Sequence, residues 1–223
     1  MYPTCLSDPI YLDKQGEIAH IVLNRPEKRN ALSRQIWEAI PQLTKMIEAD
    51  RDIKVVIVRG ATPVAFSAGA DIAEFEEVHA TTETAGQYDE LIREAYHALH
   101  DLDRPTIAMI SGICYGGGCA LALSCDLRYA DETAKFCIPP TRLGLVYTLL
   151  ETKRLYDLVG PSRTKEMLMG RQGDRSRRGP ARRDCHAPIR PRRTGAGNPG
   201  VCRTALRLVT SDDSGGETSG GGD

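Results

Sequence analysis

This chain lacks the features that mark several common protein classes. No apolar run reaches the roughly 18 residues that a membrane-spanning helix needs. No CxxC pair occurs among its seven cysteines, which disfavours a zinc site or a disulfide scaffold. The N-terminus has no basic stretch followed by an apolar one, so no secretory signal is visible. The formal net charge is only −1 and gives no overall preference for nucleic acid. We therefore expect a cytoplasmic protein with no metal site and no membrane contact.

Residues 171–223 differ in composition from residues 1–170. The first segment has 18 basic and 24 acidic side chains, whereas the second has 11 basic ones, all Arg, and 6 acidic ones. The second segment also has ten Gly and four Pro, but no Lys and no aromatic residue. Such a composition buries too little apolar surface to offset the entropy lost when the backbone is ordered. We predict a folded domain over 1–170 and a disordered Arg/Gly/Pro-rich tail over 171–223.

The first segment has the pattern of an α/β domain. Runs rich in β-branched residues at 17–24, 53–61 and 105–111 have the length of strands. Residues 126–138 suggest two short extended segments around a turn, and residues 149–160 a helix that ends before a glycine. Strands that alternate with helices in this way are typical of α/β proteins.

A helix is predicted between the first two strands. Ser33 can cap its N-terminus, and Pro41 should kink the helix or delay its start. The apolar residues with helical spacing are Ile36, Ile40, Leu43 and Ile47.

Three consecutive glycines, Gly116, Gly117 and Gly118, lie between an apolar strand and a segment of small residues. A bare backbone in front of a helix exposes unpaired N–H groups at the positive end of the helix dipole. A dinucleotide fingerprint needs a different glycine spacing, and a phosphate loop needs Gly-Lys-Ser/Thr. Two interpretations remain: an oxyanion hole for a carbonyl oxygen, or close packing of the helix on a sheet.

A second strand-to-helix turn favours the oxyanion hole. The segment AFSAGADIAEF (65–75) also places small residues after a strand, and Asp71 can cap a helix that begins near Ile72. Two strand ends that present bare N–H groups suit a thioester oxygen, because one N–H from each loop can hold it as an enolate forms.

Four motifs resemble the enoyl-CoA hydratase/isomerase, or crotonase, superfamily, and they occur in the family's order. They are LNRPEKRNAL (23–32), AFSAGADIAEF (65–75), ISGICYGGGCALALSCDLRYAD (110–131) and AKFCIPPTRLGL (134–145). The resemblance covers residues 16–170. It implies a crotonase-like spiral of ββα units that binds acyl-CoA thioesters as substrates, needs no further cofactor, and assembles into homotrimers or hexamers. The C-terminal helices of the family are missing here or replaced by the tail.

The resemblance also implies a set of site residues. The backbone N–H groups of Ala70 and Gly117 would form the oxyanion hole. The segment with Arg25, Lys28, Ala31 and Leu32 would lie near the CoA adenine and phosphates. The residues expected to line the pantetheine channel are Ala68, Asp71 and Ile72.

Two glutamates of the family's hydratases have no counterpart here. In the family pattern one follows the Cys after the glycines, where this chain has Ala120, and the other follows a proline, where it has Pro140. Neither side chain can transfer a proton, so two-glutamate hydration is disfavoured.

The segment IPPTRLGLVY is similar to the methylmalonyl-CoA decarboxylase branch of the superfamily, in which a tyrosine acts in the site. That tyrosine corresponds to Tyr147, which could reprotonate an enolate formed by loss of CO2; the alternative is an ordinary packing aromatic. The branch also has a histidine where this chain has Ala70, so the match is incomplete. The sequence therefore favours decarboxylase-like or other lyase or isomerase chemistry.

Other candidate residues have simpler interpretations. Cys119 lies beside the glycines, but no base is visibly paired with it. We therefore interpret it as a small buried hydrophobic residue. His79 is expected in a mobile loop over the pocket, with its role open. The remaining candidates, which we interpret as solvated surface residues, are Glu74, Glu76, Glu77, His97 and His100.

The tail permits a second interpretation of the whole chain. Abundant Arg, Gly, Ala and Pro without Lys is what a GC-rich gene yields when it is read out of frame, so we interpret residues 171–223 as a frameshifted or degenerated end. A nucleic-acid-binding arm is disfavoured, since the tail lacks aromatics and ends in an acidic, Gly-rich stretch. The alternative to an active enzyme is then an inactive, truncated family member that at most binds CoA.

Overall fold

The computed structural model describes residues 7–138 and 146–169 of the chain. Pro140 and the predicted tail, 171–223, lie outside these residues. The strands are β1 (Ile10–Gln15), β2 (Ile18–Leu23), β3 (Val55–Gly60), β4 (Ala65–Ser67), β5 (Thr106–Ile110), β6 (Ile113–Tyr115), β7 (Leu127–Ala130) and β8 (Lys135–Cys137). The helices are α1 (Arg34–Ala49), α2 (Phe75–Val78), α3 (Thr82–His100), α4 (Gly117–Ser124) and α5 (Leu149–Met169), with 3-10 turns at Pro26–Lys28 and Ile72–Glu74.

The described strands form two sheets, and the chain alternates between them. The larger sheet has the order β1-β2-β3-β5-β7, antiparallel only between β1 and β2, and the smaller one has the parallel order β4-β6-β8. The pairs β3-β4, β5-β6 and β7-β8 each place one strand in each sheet, and helices follow them. This arrangement is a spiral of ββα units, as predicted.

The core lies between the larger sheet and helices α1, α3 and α4. Residues 55–58 of β3 are all buried, as expected for a central parallel strand that is covered on both faces. Helix α1 buries the four apolar residues predicted for its inner face, together with Trp37 and Thr44. Helix α4 is apolar all round, and seven of its eight residues are buried. Because α4 is enclosed by protein, its N-terminus is held in a fixed position.

Several local predictions need correction. Helix α1 begins at Arg34 and continues through Pro41, so the proline does not delay its start. The Ser33 side chain makes no capping hydrogen bond; instead, the Glu74 carboxylate accepts one from the Arg34 N–H (Oε2–N 2.8 Å). Helix α5 extends past its predicted end, although Gly160 interrupts it with non-helical backbone angles (φ 77°, ψ 171°).

The strands near the glycines also differ from the prediction. Strand β5 does not lead into them; a separate strand, β6, does, and it belongs to the other sheet. Strands β7 and β8, predicted as extended segments around a turn, are both extended but pair with β5 and β6. The sequence pattern missed β4 and β6 because three residues are too few to show an alternation.

Candidate active site

Two loops of the smaller sheet meet at the N-terminus of α4. A methyl group placed on Gly117 would lie 3.5 Å from the Ala70 backbone N, from Leu32 Cδ1 and from the Tyr96 hydroxyl oxygen. One placed on Gly69 would lie 3.4 Å from the Gly117 N. The structure thus brings together Ala70 and Gly117, the two residues predicted to donate N–H groups, although they are far apart in sequence.

Neither of these N–H groups donates a hydrogen bond to any residue in the described part of the chain. Gly117 is the first residue of α4, so its N–H has no partner within the helix. Around Ala70, the parallel bridge to Leu32 uses the Gly69 carbonyl and the Asp71 N–H instead (2.8 and 3.0 Å). Two unengaged donors, one of them at the positive end of a helix, can bind an oxygen that carries negative charge.

The glycines are required for different reasons. Gly116 has φ 46° and ψ −116°, a combination that a residue with a side chain adopts only under strain. A methyl group on Gly118 would lie 2.7 Å from Ser67 Cβ and 2.9 Å from the Ser67 carbonyl oxygen, so α4 packs directly on β4. Gly118 therefore allows close packing of α4 on β4, whereas a methyl group on Gly117 would meet its neighbours only at ordinary van der Waals distance.

Arg25 connects the loop that follows β2 with the loop that carries Ala70. Its Nη1 donates to the Ala31 carbonyl and its Nη2 pairs with Asp71 Oδ2, both at 2.8 Å. Asp71 also caps the following 3-10 turn by accepting from the Ala73 N–H (3.2 Å). Because its guanidinium is already paired, Arg25 holds the Ala70 loop in place rather than presenting a free charge.

The ion pair with Arg25 helps to lower the pKa of Asp71. Burial acts to raise the pKa of this carboxyl, but hydrogen bonds from Arg25 and the Ala73 N–H, with the charges of Arg25 and Lys28, outweigh it. The pKa of Asp71 therefore lies below its ordinary value of 3.8, and the group is ionised at neutral pH.

Asn30 and Ser67 complete the connection between the loops. The Asn30 side chain donates to the Ala65 carbonyl and accepts from the Arg25 N–H (both 2.8 Å). The Ser67 hydroxyl donates to the Asn30 carbonyl (2.8 Å) and accepts from the Gly69 N–H (3.1 Å). Because both side chains are buried, these bonds are sheltered from water and fix the turn that carries Ala70.

The residues predicted to bind CoA lie on the same side of the fold. Ala31 and Leu32 are buried beside the Ala70 loop, and Ala68 is half-buried with its N–H donating to the Arg29 carbonyl (2.9 Å). Lys28 is exposed, and Ile72 is an exposed large apolar residue at 62%. An exposed apolar side chain and an exposed cation next to the loops are available to a ligand.

Tyrosine hydroxyls lie against the carbonyls of this turn. Tyr147 donates to the Gly116 carbonyl at 2.6 Å, and Tyr96 donates to the Gly117 carbonyl at 3.3 Å. Burial, followed by nearby ionisable groups that include Cys119, raises the pKa of Tyr147 well above 10. Both phenols are therefore protonated at neutral pH.

Ala120 and Cys119 provide no proton-transfer group. Ala120 is buried in α4, one position after Cys119. The Cys119 thiol donates to the Cys114 carbonyl at a sulfur–oxygen distance of 2.8 Å, as a packed structural cysteine does.

The other candidates are exposed or take part in local contacts of the fold. Glu74 caps α1, while Glu76 and Glu77 are exposed on α2. His79 is exposed at the end of α2 rather than in a long loop, and one of its ring nitrogens lies 3.1 Å from the Phe75 carbonyl oxygen. In α3, His97 faces Asp101 (3.6 Å) and His100 is exposed.

Residues 7–138 and 146–169 contain neither a metal-binding cluster nor a membrane-spanning helix. Within these ranges, no three His, Cys, Asp or Glu side chains are grouped so that they could hold a metal ion. None of the helices there has both the length and the apolar character needed to cross a membrane.

The sequence patterns missed Tyr96 and Glu151. Tyr96 lies on α3, is buried, and packs edge-on against Trp37 (ring centroids 5.3 Å apart). In the sequence it therefore looks like an ordinary core aromatic of a helix. Glu151 forms a capping box with Thr148, in which the Thr148 N–H donates to Oε2 (2.8 Å) and the Glu151 N–H donates to Oγ1 (3.3 Å). The Thr-x-x-Glu spacing was visible in the sequence, but it usually marks a helix start.

Comparison with known proteins identifies the family of this chain. The profile of the enoyl-CoA hydratase/isomerase family matches residues 13–174, so the chain belongs to that family and has its crotonase-like fold. It is 34% identical to the short-chain-enoyl-CoA hydratase of Clostridium acetobutylicum, over 73% of this chain and 62% of the relative. It is 33% identical to the crotonyl-CoA hydratase of Syntrophomonas wolfei, over 71% and 60%. The chain thus spans less than two thirds of these relatives.

A solved structure gives the same result. The chain is similar to a family protein from Hyphomonas neptunium described as a putative enoyl-CoA hydratase/isomerase, with 46% identity and a TM-score of 0.72. The similarity covers 74% of this chain and 63% of that one.

Proposed function

We propose that this chain binds an acyl-CoA thioester and stabilises its enolate with the backbone N–H groups of Ala70 and Gly117. The observation that supports this is the pair of unengaged donors on separate loops, with the Ala70 N 3.5 Å from the point where a methyl group on Gly117 would stand. Donors fixed in advance stabilise developing negative charge without reorganising during the reaction. Lys28 and Ile72, both exposed beside the loops, are proposed contacts of the CoA phosphates and the pantetheine arm.

The chemistry proposed for this enolate is decarboxylation or another lyase or isomerase reaction. The buried Ala120 supports it, because a methyl group cannot activate water as a glutamate does. Loss of CO2 generates an enolate without a strong base, and a weak acid suffices to protonate it. Tyr147 is the proposed acid, since its hydroxyl lies on the Gly116 carbonyl next to the donors. We further propose a cytoplasmic homotrimer or hexamer.

Hydration is the competing activity, because the two relatives are named as hydratases. Crotonyl-CoA and methylmalonyl-CoA, offered side by side to the full chain, separate the two reactions. We expect CO2 release from methylmalonyl-CoA and no hydration of crotonyl-CoA. Hydration at a rate typical of an enzyme would refute the proposed chemistry.

The alternative function is an inactive family member that at most binds CoA. Light scattering after size-exclusion chromatography, with limited proteolysis, tests it on the same preparation. A trimer that binds the thioester and loses only residues near 171–223 supports an active domain. Cleavage throughout the chain, with no turnover of either substrate, supports the inactive alternative.

A further inference from the structure

The hydroxyl of Tyr147 binds the same peptide group that carries one of the two N–H donors. It donates to the Gly116 carbonyl at an oxygen–oxygen distance of 2.6 Å, in the lower part of the range for a hydroxyl donor. The Gly116 carbonyl and the Gly117 N–H belong to one planar unit, the Gly116–Gly117 peptide. A group that binds the carbonyl end of this peptide therefore also acts on its N–H end.

The orientation of this peptide depends on its hydrogen bonds, because glycine has few steric barriers to other backbone angles. Gly116 has φ 46° and ψ −116°. On one side, its N–H donates to the Cys137 carbonyl (2.8 Å); on the other, its carbonyl accepts from the Ala120 N–H (3.2 Å). Tyr147 adds a shorter bond to the same carbonyl, and this bond comes from outside α4. The Gly117 N–H is thereby held in one direction.

The start of α5 fixes the position of Tyr147. The next residue, Thr148, donates its N–H to the Glu151 carboxylate (2.8 Å), and the Glu151 N–H donates to the Thr148 hydroxyl (3.3 Å). Because Glu151 is buried, this capping box lies inside the protein rather than on an exposed helix end. The Tyr147 ring also packs against the main hydrophobic core. The hydroxyl is thus held against the Gly116 carbonyl by a fixed segment of the chain.

A second tyrosine binds the neighbouring peptide and provides a comparison. Tyr96 donates to the Gly117 carbonyl at 3.3 Å, but that carbonyl belongs to the following peptide, which carries the Gly118 N–H. This bond is longer, and it acts on a peptide whose N–H is not one of the two proposed donors. The two hydroxyls therefore have the same chemistry and differ in the peptide that they bind.

We propose that Tyr147 is a positioning residue of the oxyanion hole: its hydroxyl orients and polarises the Gly116–Gly117 peptide, so that the Gly117 N–H becomes a stronger donor to the thioester oxygen. A hydrogen bond to an amide carbonyl draws electron density from the nitrogen and strengthens its N–H as a donor, by about 10–30% per bond. This inference rests on the proposed function. It concerns the formation of the enolate, which precedes the proton transfer proposed for the same hydroxyl.

Infrared spectroscopy of the full chain with propionyl-CoA, labelled with carbon-13 at the carbonyl, tests the inference. This thioester has no carboxylate to lose, so the measurement needs no reaction and does not involve the acid role of Tyr147. Hydrogen bonds to the carbonyl oxygen shift its stretch to lower frequency. Tyr147→Phe keeps the ring and removes the hydroxyl. We expect it to bind the thioester with a shift that is smaller than the wild-type shift by about 10–30% or more.

Fluorinated tyrosines at position 147 separate polarisation from a structural role. Monofluorotyrosine and difluorotyrosine keep the ring and the hydroxyl, but they donate progressively stronger hydrogen bonds because fluorine makes the phenol more acidic. The spectra are recorded at mildly acidic pH, where the phenol remains protonated. The carbonyl shift of the bound thioester should grow from tyrosine to monofluorotyrosine to difluorotyrosine. Packing of the ring alone would not produce this order.

Two other tyrosines provide matched controls. Tyr156 is half exposed on α5, and Tyr156→Phe should give the wild-type shift. Tyr96→Phe removes the bond to the Gly117 carbonyl and should reduce the shift less than Tyr147→Phe does. Thermal unfolding of every variant shows whether it is folded at the temperature of the measurement.

The outcomes are distinguishable. A full wild-type shift in Tyr147→Phe, or an equal loss in Tyr96→Phe, overturns the inference and leaves the proposed function standing. If Tyr147→Phe does not fold, the fluorotyrosine series decides: a shift that does not follow the acidity of the phenol overturns the inference as well. A wild type that does not bind the thioester, or binds it with an unshifted carbonyl band, refutes the proposed function and, with it, the inference.

Discussion

Gly117→Ala should abolish the function of the site without harming the fold. The added methyl group meets Ala70 N, Leu32 Cδ1 and Tyr96 Oη at 3.5 Å, which is ordinary van der Waals contact. Gly117 begins a helix and does not have a positive φ, so alanine is compatible with its backbone. Stability should change by less than about 1 kcal/mol, with helix propensity favouring alanine. In the proposed binding mode, the methyl group occupies the space of the thioester oxygen.

The expected functional loss is about 10²-fold or more in turnover, comparable to removal of one oxyanion donor. Neighbouring glycines provide controls with the opposite result. Gly118→Ala brings Cβ to 2.7 Å from Ser67 Cβ, and such overpacking should cost about 1–3 kcal/mol. Gly116→Ala forces a side chain onto backbone at φ 46° and should cost about 1–3 kcal/mol.

Urea unfolding and acyl-CoA turnover of the three variants measure both effects. The reasoning is refuted if Gly117→Ala remains as active as the wild type, since the methyl group would then not compete with the substrate oxygen. It is also refuted if Gly117→Ala unfolds as readily as Gly118→Ala, because the contact distances would then have no meaning for stability.

Three further predictions concern stability. Asp71→Asn should cost about 1–3 kcal/mol at neutral pH, because it leaves Arg25 without its charged partner. Since the wild-type pKa of Asp71 is lowered, this cost should shrink in urea titrations as the pH falls below 3.8. Burial, with the Arg59 charge, lowers the pKa of His20, so the unfolding free energy should fall as pH drops below 6.5, and His20→Gln should remove that slope. Asn30→Ala should cost about 1–3 kcal/mol in thermal or urea unfolding, since the buried Ala65 carbonyl and the Arg25 N–H lose their bonds to the side chain.

A specific result would contradict each of these three predictions. A pH-independent cost for Asp71→Asn would mean that the carboxyl has no shifted titration. An unchanged slope in His20→Gln would assign the pH dependence to another group. A neutral Asn30→Ala would show that the Ala70 loop does not need this connection.

The sequence predicted the parts of the fold that local patterns determine. The β-branched run of β3 is a strong signal because the strand is buried on both faces. The apolar residues of α1 are another, because they recur with helical spacing on the one face that is buried. The glycine segment and the Asp71 turn were found because few residues other than glycine fit the backbone of Gly116 and because Asp is one of the few residue types that cap a helix start.

Other parts depend on contacts between distant residues and leave no local signal. Glu74 caps a helix that begins 40 residues earlier, and Arg25 pairs with Asp71 across two loops. Short strands such as β4 and β6 are defined by their partners rather than by their own residues. Glu151 matched a capping pattern that was correct, but that pattern gives no signal for the burial of its side chain.

The central claim is that the Ala70 and Gly117 N–H groups bind a thioester oxygen. Infrared spectroscopy of propionyl-CoA labelled with carbon-13 at the carbonyl tests it directly, because hydrogen bonds to that oxygen weaken the C=O bond. We predict a carbonyl stretch that shifts to lower frequency on binding to the wild type and a smaller or absent shift with Gly117→Ala. A ligand that is bound to the wild type with an unshifted carbonyl band would contradict the claim.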